Sequence, residues 1–453
     1  MTLRQNLRLV VYRWILFVGA LVTMILGAAL LTVSGQGLAS SIVATIEDET
    51  ATALISVMGV FIAIVVLLSV GIIAGSFGFC VALRRKELAL YRMIGASGKR
   101  LKNMLIGESV VLAVLGSLVG VIVGAGLTGL FLDIINDIEI VPNSLVDPNV
   151  WFVLPSAFVC SILIAVWGAS IAGRRATKIS PIEALQDANL DIKLVSKQRV
   201  IWGIVMVLSS ITLFVLGDAI RFEGEEVAIY VSFVMFGGVF AVIALVCFAP
   251  LYLPILASWV SCVGSVVTSG RMASRSIRLS ARRTSGLASF VMLSIALVAV
   301  MAIVMNGLSV SPDMSPEDIA QNIVILNALI VPIGIFAVLS IVNTLVMAFS
   351  VRQEEFVKMR LLGFGKGQIV TIAILESIFT ILVGVVLGIA IALLTDLINQ
   401  NILNGYYPGL GTLNTPWAIL GTLSALYLGV SVVVSVVAVF ITCRKATVLT
   451  VRD

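Results

Sequence analysis

Ten stretches of this chain are apolar and long enough to cross a bilayer, which no soluble fold could bury. They fall at 14–33, 54–81, 103–132, 151–172, 201–217, 228–257, 285–308, 323–349, 369–395 and 416–442. A hydrocarbon core about 30 Å thick needs about 20 apolar helical residues. Charged residues make up 12% of the chain and hydrophobic ones 60%, against about 25% charged in soluble domains. The expected fold class is an all-α polytopic membrane protein with about 10 transmembrane helices.

The net charge of +5 could suggest nucleic acid, but its placement points to membrane orientation. The intervening loops on the N-terminal side are 1–13, 82–102, 173–200, 258–284, 350–368 and 443–453. They hold 28 of the 29 Lys and Arg, leaving only Arg221 opposite. The positive-inside bias then places both termini in the cytoplasm. Acidic residues such as Glu47, Asp137, Glu139 and Glu225 lean the other way. The first span follows Arg8 and Arg13, as in a signal peptide, but its run is too long for one and is expected to be retained.

Several chemistries find no residues here. There is no histidine, the commonest general base and metal ligand. Cys80, Cys160, Cys247, Cys262 and Cys443 form no C-x-x-C pair and read as small hydrophobes. The pattern G-x-x-x-x-G-K-[ST] is missing, and Gly363-Phe364-Gly365-Lys366-Gly367 is no substitute. No catalytic residue, metal site or cofactor is expected in this chain.

An internal repeat organises the rest. Residues 84–109 read RRKELALYRMIGASGKRLKNMLIGES, and 352–377 read RQEEFVKMRLLGFGKGQIVTIAILES. A shift of 268 superposes Arg84 on Arg352, Glu87 on Glu355, Arg92 on Arg360, Gly95 on Gly363, Glu108 on Glu376 and Gly116 on Gly384. The flanks repeat with a shift of 270: Arg8, Leu9 and Arg13 meet Arg278, Leu279 and Arg283, and Arg175 meets Lys445. Two four-span units with an even-numbered linker between them enter the membrane in the same direction, as parallel repeats. The boundaries expected are 1–200 for the first repeat, 201–264 for two linker helices and 265–453 for the second repeat.

The loop between the second and third spans of each unit is highly charged and repeated. Leu88, Leu90, Met93 and Ile94 predict an apolar stripe on a short helix, with Arg85, Lys86, Glu87 and Arg92 around it and Gly95 closing it. In the second copy Phe356, Met359 and Leu362 form the stripe, with Glu354, Glu355, Lys358 and Arg360 around it and Gly363 at the end. Glycine suits such a helix end because it tolerates the left-handed conformation. Two readings fit: a helix that docks on a partner, or one that lies under the lipid headgroups. The repeated acid and base favour the first, since lipid requires no fixed acid.

Glu108 and Glu376 begin the third and ninth spans, where a carboxylate needs a partner. They read as structural pins, with Arg92 and Arg360 as candidate partners, ahead of the alternative of a proton or substrate site. Gly116, Gly120 and Gly124, and Gly384, Gly388 and Ala392, follow small-xxx-small spacing for close helix packing. The span from 54 is long enough to tilt or to project as a stalk. Pro155, Pro250, Pro254 and Pro332 fall inside spans and are expected to kink them. The span centres otherwise read as free of charge, which argues against an ion-coupled carrier.

These runs, with the glycine-spaced helix and Ser180-Pro181-Ile182-Glu183-Ala184-Leu185 after the fourth span, resemble the FtsX/MacB-like permease family. Two such domains joined by two helices are similar to the ten-helix BceB-type permeases of the type VII ABC transporters. The C-terminal copy lacks the Ser-Pro step after its last span. The resemblance implies a bacterial cytoplasmic-membrane subunit that binds two copies of a separate ABC ATPase, where ATP and Mg would act. Its coupling helices would comprise Arg85, Glu87, Leu88, Tyr91, Arg92 and Gly95, and Glu354, Glu355, Phe356, Met359, Arg360 and Gly363. Family members commonly carry a large external domain, yet the loops at 34–53 and 309–322 leave no room for one. That favours an amphiphile drawn from membrane lipid as cargo: an antimicrobial peptide, a drug or a lipid. The alternative is a transmitter that signals to a membrane sensor kinase or a cell-wall hydrolase and transports nothing.

Overall fold

The computed structural model describes residues 14–43, 48–136, 150–176, 197–219, 227–263, 281–308, 316–406 and 415–449. Twelve helices run through them, with no strand among the described residues. They are α1 Trp14–Val43, α2 Asp48–Leu83, α3 Arg85–Met93, α4 Gly98–Asn136, α5 Val150–Ala176 and α6 Lys197–Ala219, then α7 Val227–Val263, α8 Ala281–Leu308, α9 Pro316–Val351, α10 Gln353–Leu361, α11 Lys366–Tyr406 and α12 Trp417–Leu449. Ten are long and apolar enough to cross a membrane; α3 and α10, with 9 residues each, are not. Arg221 and the Ser180–Leu185 motif lie outside the described residues.

The expected loop at 34–53 is mostly helix, because α1 runs to Val43 and α2 starts at Asp48. Its Ser and Gly content reads as loop, but the serines are satisfied within the helix. Ser34, Ser40 and Ser41 donate to the carbonyls of Leu30, Gln36 and Leu38 at 2.7–2.8 Å.

The chain divides into two compact units, Met1–Asp191 with Val346–Val351, and Ile192–Leu345 with Arg352–Asp453. In the first, α1 packs against α2, α4 and α5. Its seam with α4 is backbone against backbone. A Cβ on Gly120 would stand 2.4 Å from the Ile25 carbonyl oxygen, and one on Gly124 2.6 Å from that of Ala29. Only glycine allows so close an approach.

In the second unit α7, α11 and α12 pack on α8. Leu287–Val304 is buried at every position. The glycine seam recurs, with Gly384 against Ala288 and Val291, and Gly388 against Met292 and Ile295. Since Gly116 meets Met24 and Gly120 meets Ile25 and Ala28, the packing register between α1 and α8 is 267. The shift of 270 read from the flanking arginines therefore does not hold inside the bundle. Charged flanks mark where a helix leaves the membrane, whereas van der Waals contact sets which residues face each other.

The linker helices α6 and α7 pack on each other. Gly203 sits under Phe248 and Gly237 under Phe214, while Ser210 Oγ donates to the Gly237 carbonyl at 2.8 Å. Pro250 interrupts the hydrogen-bond ladder of α7. It has no N–H for the Val246 carbonyl one turn back, and Arg199 of α6 fills that role, with Nη2 donating to it at 2.7 Å.

Candidate functional site

The two short helices carry the same construction twice. α2 ends at Leu83, and Arg84 takes up a non-helical conformation (φ −100°, ψ 13°) before α3 begins. Arg352 does the same between α9 and α10 (φ −92°, ψ 4°). At this corner the side chain leaves the helix face and turns inward. Arg84 Nη1 reaches Glu108 Oε2 of α4 at 2.6 Å, and its Nε reaches Glu87 Oε2 of α3 at 3.2 Å. Arg352 repeats this, to Glu376 of α11 at 2.5 Å and Glu355 of α10 at 2.9 Å. One planar guanidinium thus ties each short helix to the spanning helix after it, a fork that lysine cannot reproduce. Arg352 also lies over the Phe356 ring, 5.1 Å from its centroid.

Arg84, Glu108, Arg352 and Glu376 are buried. Burial alone would lower the Arg84 pKa, but the adjacent carboxylates, Glu108 foremost, outweigh it and raise the value; Arg352 responds in the same way to Glu376 and Glu355. Both cations stay charged at any physiological pH. Arg84 and Arg352, repeated between the copies but with no role legible in the sequence, are seated on the Glu108 and Glu376 carboxylates.

Each short helix closes in the same way. Gly95 and Gly363 have φ of +98° and +91°, the left-handed region that favours glycine. Gly95 N–H donates to Arg92 O and Ala96 N–H to Tyr91 O, with Gly363 to Arg360 O and Phe364 to Met359 O in the second copy. This is the Schellman pattern that satisfies the last carbonyls of a helix.

The expected apolar stripe divides between two faces. Leu88 is buried with Val81, Leu101 and Leu105, and Tyr91 packs half-buried beside them. Leu90, Met93 and Ile94 point outward, Ile94 at 84% exposure. In the second copy Phe356 is buried and Met359 half-buried, while Leu361 and Leu362 are exposed, Leu362 at 79%. Leu361 was not among the expected contacts. Arg92 and Arg360 are half-buried, Glu87 is half-buried and Glu355 exposed. Arg85 and Glu354 lie in the first turns of α3 and α10, and their side chains are outside the described set. Each copy therefore has an inner face locked to the bundle and an apolar tip left bare.

One buried acid escaped the sequence reading. Asp396 of α11 is 1% exposed and accepts a hydrogen bond from Thr415 Oγ1, with Thr395 and Asn399 buried beside it. It stands one residue past the expected end of the ninth span, where hydropathy falls. Its counterpart at a shift of 268 is Thr128, so the feature belongs to the second repeat alone. Among the described residues, no cluster of His, Cys, Asp and Glu could hold a metal ion.

The FtsX-like permease C-terminal family matches twice, at residues 59–181 and 327–447. Each match contains one short helix, its arginine corner and the glycine seam after it. The chain is also similar to the Macrolide export ATP-binding/permease protein MacB of Agrobacterium fabrum strain C58. The two are 27% identical over 143 residues, or 31% of this chain. That alignment spans a fifth of the relative's length, 20%. The two family matches together cover more than half of the chain, and the chain belongs to the FtsX-like permease family.

Proposed function

We propose that this chain is the membrane-spanning subunit of an ATP-driven exporter, with α3 and α10 as its contacts with a separate cytoplasmic ABC ATPase. The observation that carries this reading is the pair of bare apolar tips, Leu90, Met93 and Ile94 on α3 and Leu361 and Leu362 on α10. Each rides on a helix pinned to the bundle by a buried guanidinium. A surface meant for lipid would need no such lock. A force-bearing contact would, because motion of the partner must reach α4 and α11 without being absorbed in a loose loop. Two tips suit two ATPase copies, and ATP and Mg would act there. The basic loops support a cytoplasmic placement for both tips and both termini. The repeats would span 1–200 and 265–453, with 201–264 as linker.

For cargo we infer an amphiphile, such as an antimicrobial peptide, a drug or a lipid, taken from the membrane. Only 44–47 separate α1 from α2, and only 309–315 separate α8 from α9, so neither connection can hold a folded external domain. The name of the similar MacB protein pairs macrolide export with an ATP-binding/permease chain, which is consistent with this class.

The test is co-purification in lipid nanodiscs with an ABC ATPase encoded beside this chain. The reading expects two ATPases per permease and hydrolysis that responds to amphipathic peptides or drugs. Failure of the ATPase to bind would remove the subunit assignment. Binding with hydrolysis indifferent to every amphiphile tried would remove the cargo assignment alone.

A further inference from the structure

Inside the first bundle, all four spanning helices meet around a small cavity. Gly27 of α1, Ser69 of α2, Ser117 of α4 and Ser161 of α5 stand on its walls, and its space is that of about one water molecule. Ser69 is 1% exposed, and its hydroxyl has no hydrogen-bond partner among protein atoms. Serines in apolar helices usually bond to a carbonyl one turn back, as Ser161 does to Ala157 at 2.7 Å. Ser69 does not, and a hydroxyl buried without a partner is costly. Gly27 keeps the space open: a Cβ there would stand 3.0 Å from Ser69 Oγ.

The second repeat carries other residues at the matching positions. Ala337 replaces Ser69 and Val385 replaces Ser117 at the shift of 268; Ser294 replaces Gly27 at the packing register of 267. Tyr427 of α12 is the largest fully buried side chain among the described residues, and its hydroxyl lies near Ser294. Ala337, Val385 and Ser294 are buried as well. Two polar wall positions have become aliphatic.

We propose that the first bundle holds one structural water, bound by Ser69, Ser117 and Ser161, as a polar junction among its helices. Buried waters typically make about three hydrogen bonds to otherwise unsatisfied groups, and three hydroxyls from three helices supply them. Such a junction lets helices shift slightly while one small, mobile molecule keeps the polar groups satisfied.

The test uses the full chain in nanodiscs and measures melting temperature for Ser69→Ala and Ser69→Val. Valine fills a dry cavity with methyl groups, so a dry site predicts a melting temperature above wild type for Ser69→Val. A hydrated site predicts a fall of several degrees for both variants. Should Ser69→Val fail to fold for steric reasons, Ser69→Ala and a cryo-EM map that resolves waters decide instead. Density within 3.5 Å of Ser69 Oγ and of a second hydroxyl supports the proposal. A map that shows other buried waters but none here overturns it, as does a stabilised Ser69→Val.

Discussion

Arg84 Nη1 stands 2.6 Å from Glu108 Oε2, with both side chains removed from solvent. Removing one member of a buried pair leaves the other charge uncompensated and costs about 3–5 kcal/mol. Glu108→Gln and Arg84→Met are therefore expected to lower the melting temperature sharply, and Arg352→Met to do the same in the second repeat. The arginine pKa values are raised, so this stabilisation is complete below the ordinary guanidinium value and is lost only as pH rises through the higher folded one. Melting temperatures measured from about pH 7 to pH 10 should show no loss traceable to the arginines.

Ile94→Asp and Leu362→Asp separate docking from folding. Both positions are exposed at the end of a short helix, where substitutions usually change stability by about 0.5 kcal/mol or less. The melting temperature should hold while ATPase co-purification falls at least tenfold in the double variant. Unchanged recovery of the ATPase would place the contact elsewhere. Glu87→Lys and Glu355→Lys are poorer probes, because each puts a second cation beside a buried arginine.

Gly95→Ala and Gly363→Ala test backbone strain alone. Nothing lies within 4 Å of an added Cβ at either site, yet both have positive φ. The expected cost is about 1 kcal/mol each, read by thermal unfolding, with asparagine costing less than alanine.

The glycines of α4 should divide sharply by position. Gly120→Ala drives a methyl into the Ile25 carbonyl and should cost at least about 1–3 kcal/mol. Gly126→Ala meets nothing within 4 Å and should leave thermal stability unchanged or slightly improved. Equal effects at the two positions would contradict the α1–α4 seam.

Arg199→Met should destabilise by about 1–2 kcal/mol, because it strands the Val246 carbonyl that Pro250 leaves unmatched. Pro250→Ala restores the missing N–H. In the Pro250→Ala background Arg199→Met should cost markedly less, which a double-mutant cycle in thermal unfolding measures.

Much of this architecture is written locally in the chain. Apolar runs fix the spans, the repeated acid–base pattern marks α3 and α10, and Gly95 and Gly363 announce the turn that their positive φ provides. What escaped depends on where a helix ends or how one face turns. The role of Arg84 is hidden because its inward direction comes from a one-residue break in the helix. Asp396 escapes because hydropathy falls at Thr395 while α11 continues for eleven more residues to Tyr406. The outward turn of Leu90 and Leu361 is decided by Leu88 and Phe356, which claim the inner face first.

α8 is buried along Leu287–Val304, yet Gly286–Val304 is as apolar as a segment made to face lipid. Membrane helices insert individually before they associate, so α8 needs this apolarity to enter the bilayer at a stage when α11 and α12 have not been synthesised. Lipid contact is thus a transient stage in its biogenesis. Substitutions in α8 that preserve hydropathy but alter shape should leave insertion intact and stall assembly, producing a chain that is correctly threaded and incorrectly closed.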